Sequence, residues 1–370
     1  MLKSLLGAAL VAVSTSFAAA QSVTVTDIAG RTVTLDAPAE RIVISEGRYV
    51  PLLAVLNPVN PVEGIVGMMN SIAWTDPVFE EQVFEKFPAA KDIQLFGKSN
   101  KESVSVEKII ELAPELAIFG VSDHGPDAKN KELIDQLSAA GTKVVFIDFR
   151  MDPLNNTQKS IELLGKVLGK EDNAKAFNDF YGERLEAIKA RVASIEERPS
   201  VFLQVHVGRF ECCWGMADGM LGPFVEVAGG INIADKVAPG PTAQHTAEFL
   251  LAENPDVWIG TASGSAASWD DGKAPLPLGG DVSKELAQDS LAKSVSSVEF
   301  AALGAVQNKR AHAVWHNFYN TPFNIVALEA FAKWIHPEEF SDLDPTATYN
   351  EIFERFTPFE VEGTYVTSLQ

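Results

Sequence analysis

The sequence predicts an α/β protein built of two similar parallel-sheet lobes joined by one long helix. Three observations lead there. One unit occurs twice: Val104 to Gly120 reads VSVEKIIELAPELAIFG and His245 to Thr261 reads HTAEFLLAENPDVWIGT, and they align without a gap, so that Glu107 matches Glu248, Pro114 matches Pro255 and Glu115 matches Asp256. In each copy a Ser or Thr caps a short helix with Glu in its first turn, an X-Pro step ends the helix, and an apolar strand closing on Gly follows. A unit repeated once at long separation indicates two lobes and not a solenoid. Second, short Val- and Ile-rich runs alternate with helical stretches, the pattern of a parallel sheet covered on both faces. Third, Glu171 to Glu197 carries apolar residues at Phe177, Tyr181, Leu185, Ile188, Val192 and Ile195, a spacing of three and four that Pro199 stops. At 1.5 Å per residue that is a rod of roughly 40 Å, long enough to run along both lobes.

Taken in order, residues 1–20 hold a lone Lys3, an apolar run from Leu5 to Val13 and a small-residue finish at Ala18-Ala19-Ala20, which reads as a secretory signal peptide too short to span a bilayer. No Cys follows at once, so no lipid anchor is expected, and the mature chain is expected to be soluble and exported to the periplasm. The first lobe covers 21–153. Val23 to Leu35 alternates around Ala29-Gly30 as an opening hairpin, and RIVIS (Arg41 to Ser45), EGIVGM (Glu63 to Met68), Leu116 to Gly120 and KVVFID (Lys143 to Asp148) are strands, with a helix over Lys131 to Ala140. Residues 154–198 form the interlobe helical segment. The second lobe covers 199–335, with strands at VFLQV (Val201 to Val205), in the repeated unit and at Ala311 to Val314, a long Gly- and Ser-rich loop over Gly260 to Gly280, and a helix from Phe323 to Ile335. Residues 336–370 read as an extension, a short helix plus irregular chain.

Composition and motifs exclude several function classes. A formal charge of −20 opposes nucleic-acid binding. Two adjacent cysteines, Cys212 and Cys213, cannot build a disulfide framework, so packing must hold the fold. There is no G-x-S-x-G, H-E-x-x-H, P-loop or G-x-G-x-x-G.

Five segments carry a resemblance: TVTDIAGRTVTLDAPAERIV (Thr24 to Val43), the two copies of E-x-[IFL]-[IL]-x-x-x-P-[ED], IELLGKVLGK at the start of the interlobe segment, and FVEVAGGINIA (Phe224 to Ala234). Together they resemble the substrate-binding proteins of ABC importers, in the group with a single interlobe helix that carries ferric siderophores, haem and cobalamin. The resemblance covers essentially the whole mature chain. It implies a non-catalytic monomer with a ligand cleft between the lobes, whose partners are an ABC permease and its ATPase at the inner membrane. Glu107 and Glu248 then stand where the family docks onto permease arginines; helix-dipole complementation is the plainer role for each.

Strand ends supply the candidates for the cleft: Arg48, Tyr49, Trp74, His124 and Arg150 from the first lobe, and His206, Arg209, Trp214, His245, His316 and Tyr319 from the second. Guanidinium groups pair with carboxylate or catecholate oxygens and aromatic faces cover flat apolar area, which suits an anionic iron chelate, a ferric siderophore before other ligands. Iron is then part of the bound chelate, with no intrinsic cofactor. Direct metal binding through His206, His245, His316 and Glu46, or haem ligation by His and Tyr, is the alternative, although no H-x-H or C-x-x-C spacing supports it. The same histidines would serve an exported metal-dependent enzyme, the remaining class. Cys212 and Cys213 are either buried thiols or a vicinal disulfide and are given no chemistry.

Overall fold

A computed structural model describes residues 22–210, 212–236 and 240–370; the signal-peptide expectation falls on residues 1–20, outside them. Strands β1 (Val23–Thr26) and β2 (Thr32–Leu35) form an antiparallel hairpin. Its turn is tied to the first lobe by Asp27, whose carboxylate accepts from the Phe146 N–H and from Arg31. The first lobe holds β3 (Ile42–Ile44), β4 (Ile65–Met68), β5 (Gln94–Leu95), β6 (Leu116–Gly120) and β7 (Lys143–Ile147) in the all-parallel order β5-β4-β3-β6-β7. Helices α1 (Val50–Leu56), α2 (Pro77–Lys86), α3 (Val106–Glu111) and α4 (Lys131–Ala139) cover it. The chain runs from β3 to one side and returns to the other at β6, so the order reverses between these two strands, and the loops after their carboxyl ends flank a crevice.

The interlobe segment is two helices: α5 (Pro153–Leu168), ended by Gly169 at φ 64°, and α6 (Glu171–Val192). Helix α6 spans both lobes, and α5 beside it also reaches the second, where Asn324 Nδ2 donates to Thr157 Oγ1 (3.0 Å). Near the start of α6 Asn173 Nδ2 donates to the Leu56 carbonyl (2.7 Å), and further on the Tyr181 hydroxyl donates to Asn324 Oδ1 (2.8 Å). The strut is shorter than the sequence pattern suggested, 22 residues or about 33 Å: the helix ends at Val192, and Ile195 beyond it packs on the core from irregular chain.

The second lobe repeats the plan with additions. Strands β8 (Ser200–Gln204), β9 (Trp214–Met216), β10 (Ile231–Asn232), β11 (Thr242–Gln244), β12 (Val257–Ala262), β13 (Ala311–Trp315) and β14 (Val366–Ser368) form the sheet β11-β9-β8-β12-β13-β14, with β10 also on β8. The β8, β12 and β13 core is parallel, whereas β9, β11 and β14 are antiparallel. Helices α7 (Gly222–Val227), α8 (Ala247–Glu253), α9 (Ala266–Asp270), α10 (Lys284–Val295), α11 (Val298–Ala301), α12 (Gly304–Gln307), α13 (Ile325–Ile335) and α14 (Pro345–Phe356) complete it. Two expectations change here. The Gly-rich 260–280 run is not all loop: it finishes β12 and holds α9. The C-terminal residues are not an appendage, since β14 pairs with β13 and α14 packs on α13. They also reach the first lobe, where Phe359 lies edge-on to Phe79 (4.8 Å) and the Tyr365 hydroxyl donates to Asp76 Oδ2 (3.0 Å). Sequence reading missed β14 because only three residues pair.

The repeated unit does the same structural work twice. Ser105 accepts from the Lys108 N–H and Thr246 from the Phe249 N–H, Ile109 and Leu250 are fully buried, and Ala113 and Asn254 both turn the chain at positive φ (47° and 41°) before the proline. Glu115 then accepts from the N–H groups of Glu40 and Arg41, and Asp256 from the Ser200 N–H and hydroxyl, so each carboxylate secures the start of the neighbouring central strand. Register follows: Ile42 pairs with Leu116 in one sheet and Val201 with Val257 in the other.

Candidate functional site

The crevice between the lobes opens into a cavity of about 620 Å³, within the range of small-molecule sites. Each wall comes from the loops past the carboxyl ends of parallel strands. The first lobe supplies Arg48 after β3, Trp74 after β4, His124 after β6 and Arg150 after β7. The second supplies His206, Arg209 and Phe210 after β8, Trp214 from the start of β9, and His316 and Tyr319 after β13.

Arg48 is the floor of the first-lobe wall and is almost wholly buried. Its Nε lies 2.5 Å from Glu46 Oε2, its Nη1 donates to the Tyr319 hydroxyl across the lobe boundary (3.1 Å), and its guanidinium stands 4.9 Å from the Trp74 ring. Glu46 also meets His124 Nδ1 at 3.0 Å. Burial works against the Glu46 carboxylate, but Arg48 and His124 outweigh it, so its pKa lies below the ordinary value. Behind this pair Asp123 accepts from the Tyr49 hydroxyl and, at 3.1 Å, from Asn320 Nδ2 of the other lobe. Burial, with repulsion from Glu46 second, raises Asp123 to about 8, which keeps it neutral at pH 7.

On the opposite wall the His206 and His316 rings stack at 4.3 Å. The Thr261 hydroxyl donates to the Gln204 carbonyl and accepts from the His206 N–H, so its 2.9 Å contact with His316 Nδ1 takes a proton from the ring. That tautomer leaves the lone pair on His316 Nε2. Burial and the adjoining cations depress both imidazoles, His206 to about 4, and both are neutral at pH 7. Arg150 donates to the Ser122 carbonyl (3.0 Å) and lies 5.6 Å from the Tyr319 ring. Arg209 is exposed at the mouth, with no ion pair among the described residues.

Nine of the eleven cleft candidates therefore line one cavity: Arg48, Trp74, His124, Arg150, His206, Arg209, Trp214, His316 and Tyr319. Tyr49 does not. It is buried against Phe149 and holds Asp123, one layer behind the wall. His245 does not either: in the β9–β11 pairing Trp214 stands beside Gln244 on the cavity face, so the alternation of the next pair turns Cys213 and His245 to the interior. There the His245 ring stacks on Phe249 (4.7 Å). Glu46, offered for a metal, is closed off beneath Arg48 and His124. Among the described residues no three of His, Cys, Asp and Glu gather as a metal site. Cys212 and Cys213 are joined in a vicinal disulfide across a cis peptide bond.

Sequence reasoning missed the far end of the cavity, built by Asp76, Ser263 to Ser265, Gly279, Gly280 and Asp281. Asp76 accepts from the Val78 and Phe79 N–H groups, capping α2, and burial raises its pKa. The available signal was the Gly-rich run itself, which follows a strand end. Glu107 and Glu248 lie away from the cavity, exposed in the first turns of α3 and α8.

Comparison with known proteins places this architecture. A TroA-like periplasmic binding protein, FepB of Veillonella parvula, superposes with a TM-score of 0.82 at 26% identity, over 94% of this chain and 100% of that one. The iron(3+)-hydroxamate-binding protein YxeB of Bacillus subtilis is 26% identical over 101 residues, 27% of this chain and 28% of YxeB. An ABC transporter substrate-binding lipoprotein of the same organism, YvrC, is 31% identical over 117 residues, 31% of this chain and 36% of YvrC. This chain thus aligns with about a third or less of the length of either Bacillus relative. Residues 63–311 match the periplasmic binding protein model, two-thirds of the sequence across both lobes and the strut, and the chain belongs to that family.

Proposed function

We propose that the protein is an exported, non-catalytic solute-binding component of an ABC importer that captures an anionic iron chelate, a ferric siderophore, in the interlobe cavity and hands it to a permease. The carrying observation is the pairing, in one cavity, of three guanidinium groups (Arg48, Arg150, Arg209) with the rings of Trp74, Phe210, Trp214 and Tyr319. Forked cations suit carboxylate, catecholate or hydroxamate oxygens, and the rings cover the apolar backbone of a chelator. The two histidines beside them are neutral and contribute polarity without charge. The iron(3+)-hydroxamate-binding relative supports the same ligand class. Glu107 and Glu248, one exposed first-turn carboxylate per lobe, are the docking charges for the permease.

Haem is the second reading, supported by Tyr319 and the His316 Nε2 lone pair in the same cavity. The test is to purify the protein from iron-limited source cells, record its visible spectrum and identify co-purified small molecules by mass spectrometry. A catecholate or hydroxamate charge-transfer band with a matching mass is the expected result. A Soret band would transfer the assignment to haem, and a colourless protein holding stoichiometric metal would overturn both.

A further inference from the structure

Two features of the second lobe stand behind the cavity and take no part in ligand capture: the Cys212–Cys213 disulfide and the buried His245 ring. Cys213 and His245 exchange backbone hydrogen bonds in both directions (3.2 and 2.9 Å), which extends the β9–β11 ladder by one pair. Residues paired in this way project to one face, with Cβ atoms about 5 Å apart. That face is the interior, where Cys213 is fully buried and His245 is 4% exposed. Neither His245 ring nitrogen has a hydrogen-bond partner among the described residues. A buried polar group left unpaired is costly, and a disulfide supplies no donor. Reduction would supply a partner, a thiol or thiolate at Cys213. Cys212 is only half-buried and is the accessible half of the pair. The pair also bears on the cavity. The chain between β8 and β9 presents His206, Arg209 and Phe210, and Trp214 follows Cys213 directly. The start of this loop is tied down, with the His206 N–H donating to Thr261 Oγ1 (2.8 Å) and the Val207 N–H to the Thr261 carbonyl (2.8 Å). Its return runs through the two cysteines, between Phe210, 48% exposed, and Trp214, whose rings lie 6.2 Å apart.

We propose that Cys212–Cys213 is a thiol–disulfide exchange site for a small dithiol, with His245 as hydrogen-bond donor to the buried sulfur, and that its oxidation state sets how firmly the Phe210–Trp214 wall of the cavity is held. One thiolate of the dithiol attacks Cys212 Sγ, forming a mixed disulfide, and the electron pair of the broken Cys212–Cys213 bond goes to Cys213 Sγ. His245 is neutral at pH 7, burial having lowered its pKa, and its N–H meets the thiolate left in the interior. The second thiol of the reagent passes its proton to Cys213 and attacks its partner sulfur in the mixed disulfide. Cys212 leaves as thiolate and takes from water the proton that the first thiol released. The dithiol loses two electrons to become a cyclic disulfide, the protein gains them as two thiols, and the reverse exchange restores the bond. A purely structural disulfide accounts for the tether but leaves the unpaired imidazole unexplained. This inference does not depend on which ligand fills the cavity.

The test is incubation of the native protein with dithiothreitol, an acid quench, and labelling of the unfolded chain with N-ethylmaleimide, alongside amide hydrogen exchange. Two labelled cysteines per chain are expected, with exchange at least fivefold faster across residues 206–214 and unchanged in β12. No label at dithiol concentrations that leave the protein folded, or two labels with unchanged exchange over 206–214, would overturn the proposal. Cys212→Ser with Cys213→Ser should show the faster exchange without dithiol and no response to it; slow exchange in that variant would overturn the tether. His245→Phe keeps an aromatic ring against Phe249 but carries no N–H. It should slow reduction at least tenfold at equal thiolate concentration, with the melting temperature of the oxidised protein unchanged. His245→Gln keeps an N–H donor and should hold the rate within threefold of the wild type. Equal rates in the wild type and both variants, or equally slow rates in both variants, would overturn the donor role of His245.

Discussion

Arg48→Ala tests whether the deepest guanidinium of the cavity is free for ligand or committed to the protein. Arg48 is 3% exposed and Glu46 fully buried, with Arg48 Nε 2.5 Å from Glu46 Oε2. Truncation leaves the carboxylate with His124 as its partner and removes the donor to Tyr319 and the cation over Trp74. Breaking one side of a buried ion pair costs about 3–5 kcal/mol. At about 2.1 cal/mol/K per residue, unfolding 370 residues carries roughly 0.8 kcal/mol/K, so the melting temperature should fall by about 4–6 °C. Adding Glu46→Gln removes the stranded charge and should recover about 2 kcal/mol, the coupling expected of contacting residues. The assay is urea unfolding of the wild type, both single variants and the double. A loss below about 1 kcal/mol for Arg48→Ala, with no recovery on adding Glu46→Gln, would refute the buried pair and return Arg48 to the ligand alone.

Three further outcomes are expected. His312 is buried, with Nδ1 2.8 Å from Ser368 Oγ and its ring stacked on Trp334 at 4.7 Å, and burial, aided by Arg310, lowers its pKa from 6.5 to about 3. The unfolded chain takes up this proton below pH 6.5 and the folded chain does not until about pH 3, so stability falls as pH drops through that window. Between pH 7 and pH 5 the wild type should lose about 2 kcal/mol more than His312→Gln, read from urea midpoints; equal losses would show that β14 does not hold the ring neutral. Glu115→Ala and Asp256→Ala should each cost about 1–2 kcal/mol by freeing the strand-start donors at Arg41 and Ser200, and hydrogen exchange should quicken at those amides. Phe359→Ala should cost about 3–5 kcal/mol and widen the angle between the lobes in small-angle scattering, because Phe359 fills the contact with Phe79 and Phe87.

The parts of this molecule legible in its sequence were those written in local, repeated signals. The cap, apolar run, X-Pro step and strand of the repeat are short-range events, and they recur with matching burial, positive φ and strand register. Strand ends found most of the cavity because the switch point between β3 and β6 must place the following loops in the crevice. Facing, by contrast, depends on register. His245 follows Gln244, and one residue along a strand exchanges cavity for core. Tyr49 follows Arg48 and falls behind it for a similar local reason, its hydroxyl being taken by Asp123. Asp123 was invisible because its role comes from burial beside Glu46 and from Asn320, nearly two hundred residues later in the sequence. The docking of residues 357–366 against α2 depends on contacts of the same long range.

The central claim is that Arg and aromatic side chains of the interlobe cavity hold an anionic iron chelate. Trp74 and Trp214 line that cavity, so their fluorescence reports occupancy directly. The decisive measurement is a fluorescence titration of the wild type and of Arg150→Ala with Arg209→Ala, using a ferric trihydroxamate, a ferric tricatecholate, haemin and ferric citrate. The account predicts tight quenching by one of the two siderophore complexes, weakened in the double variant by about a hundredfold, the equivalent of two charge-assisted hydrogen bonds at about 1.5 kcal/mol each. Quenching by haemin alone, or equal affinity in wild type and double variant, would contradict it.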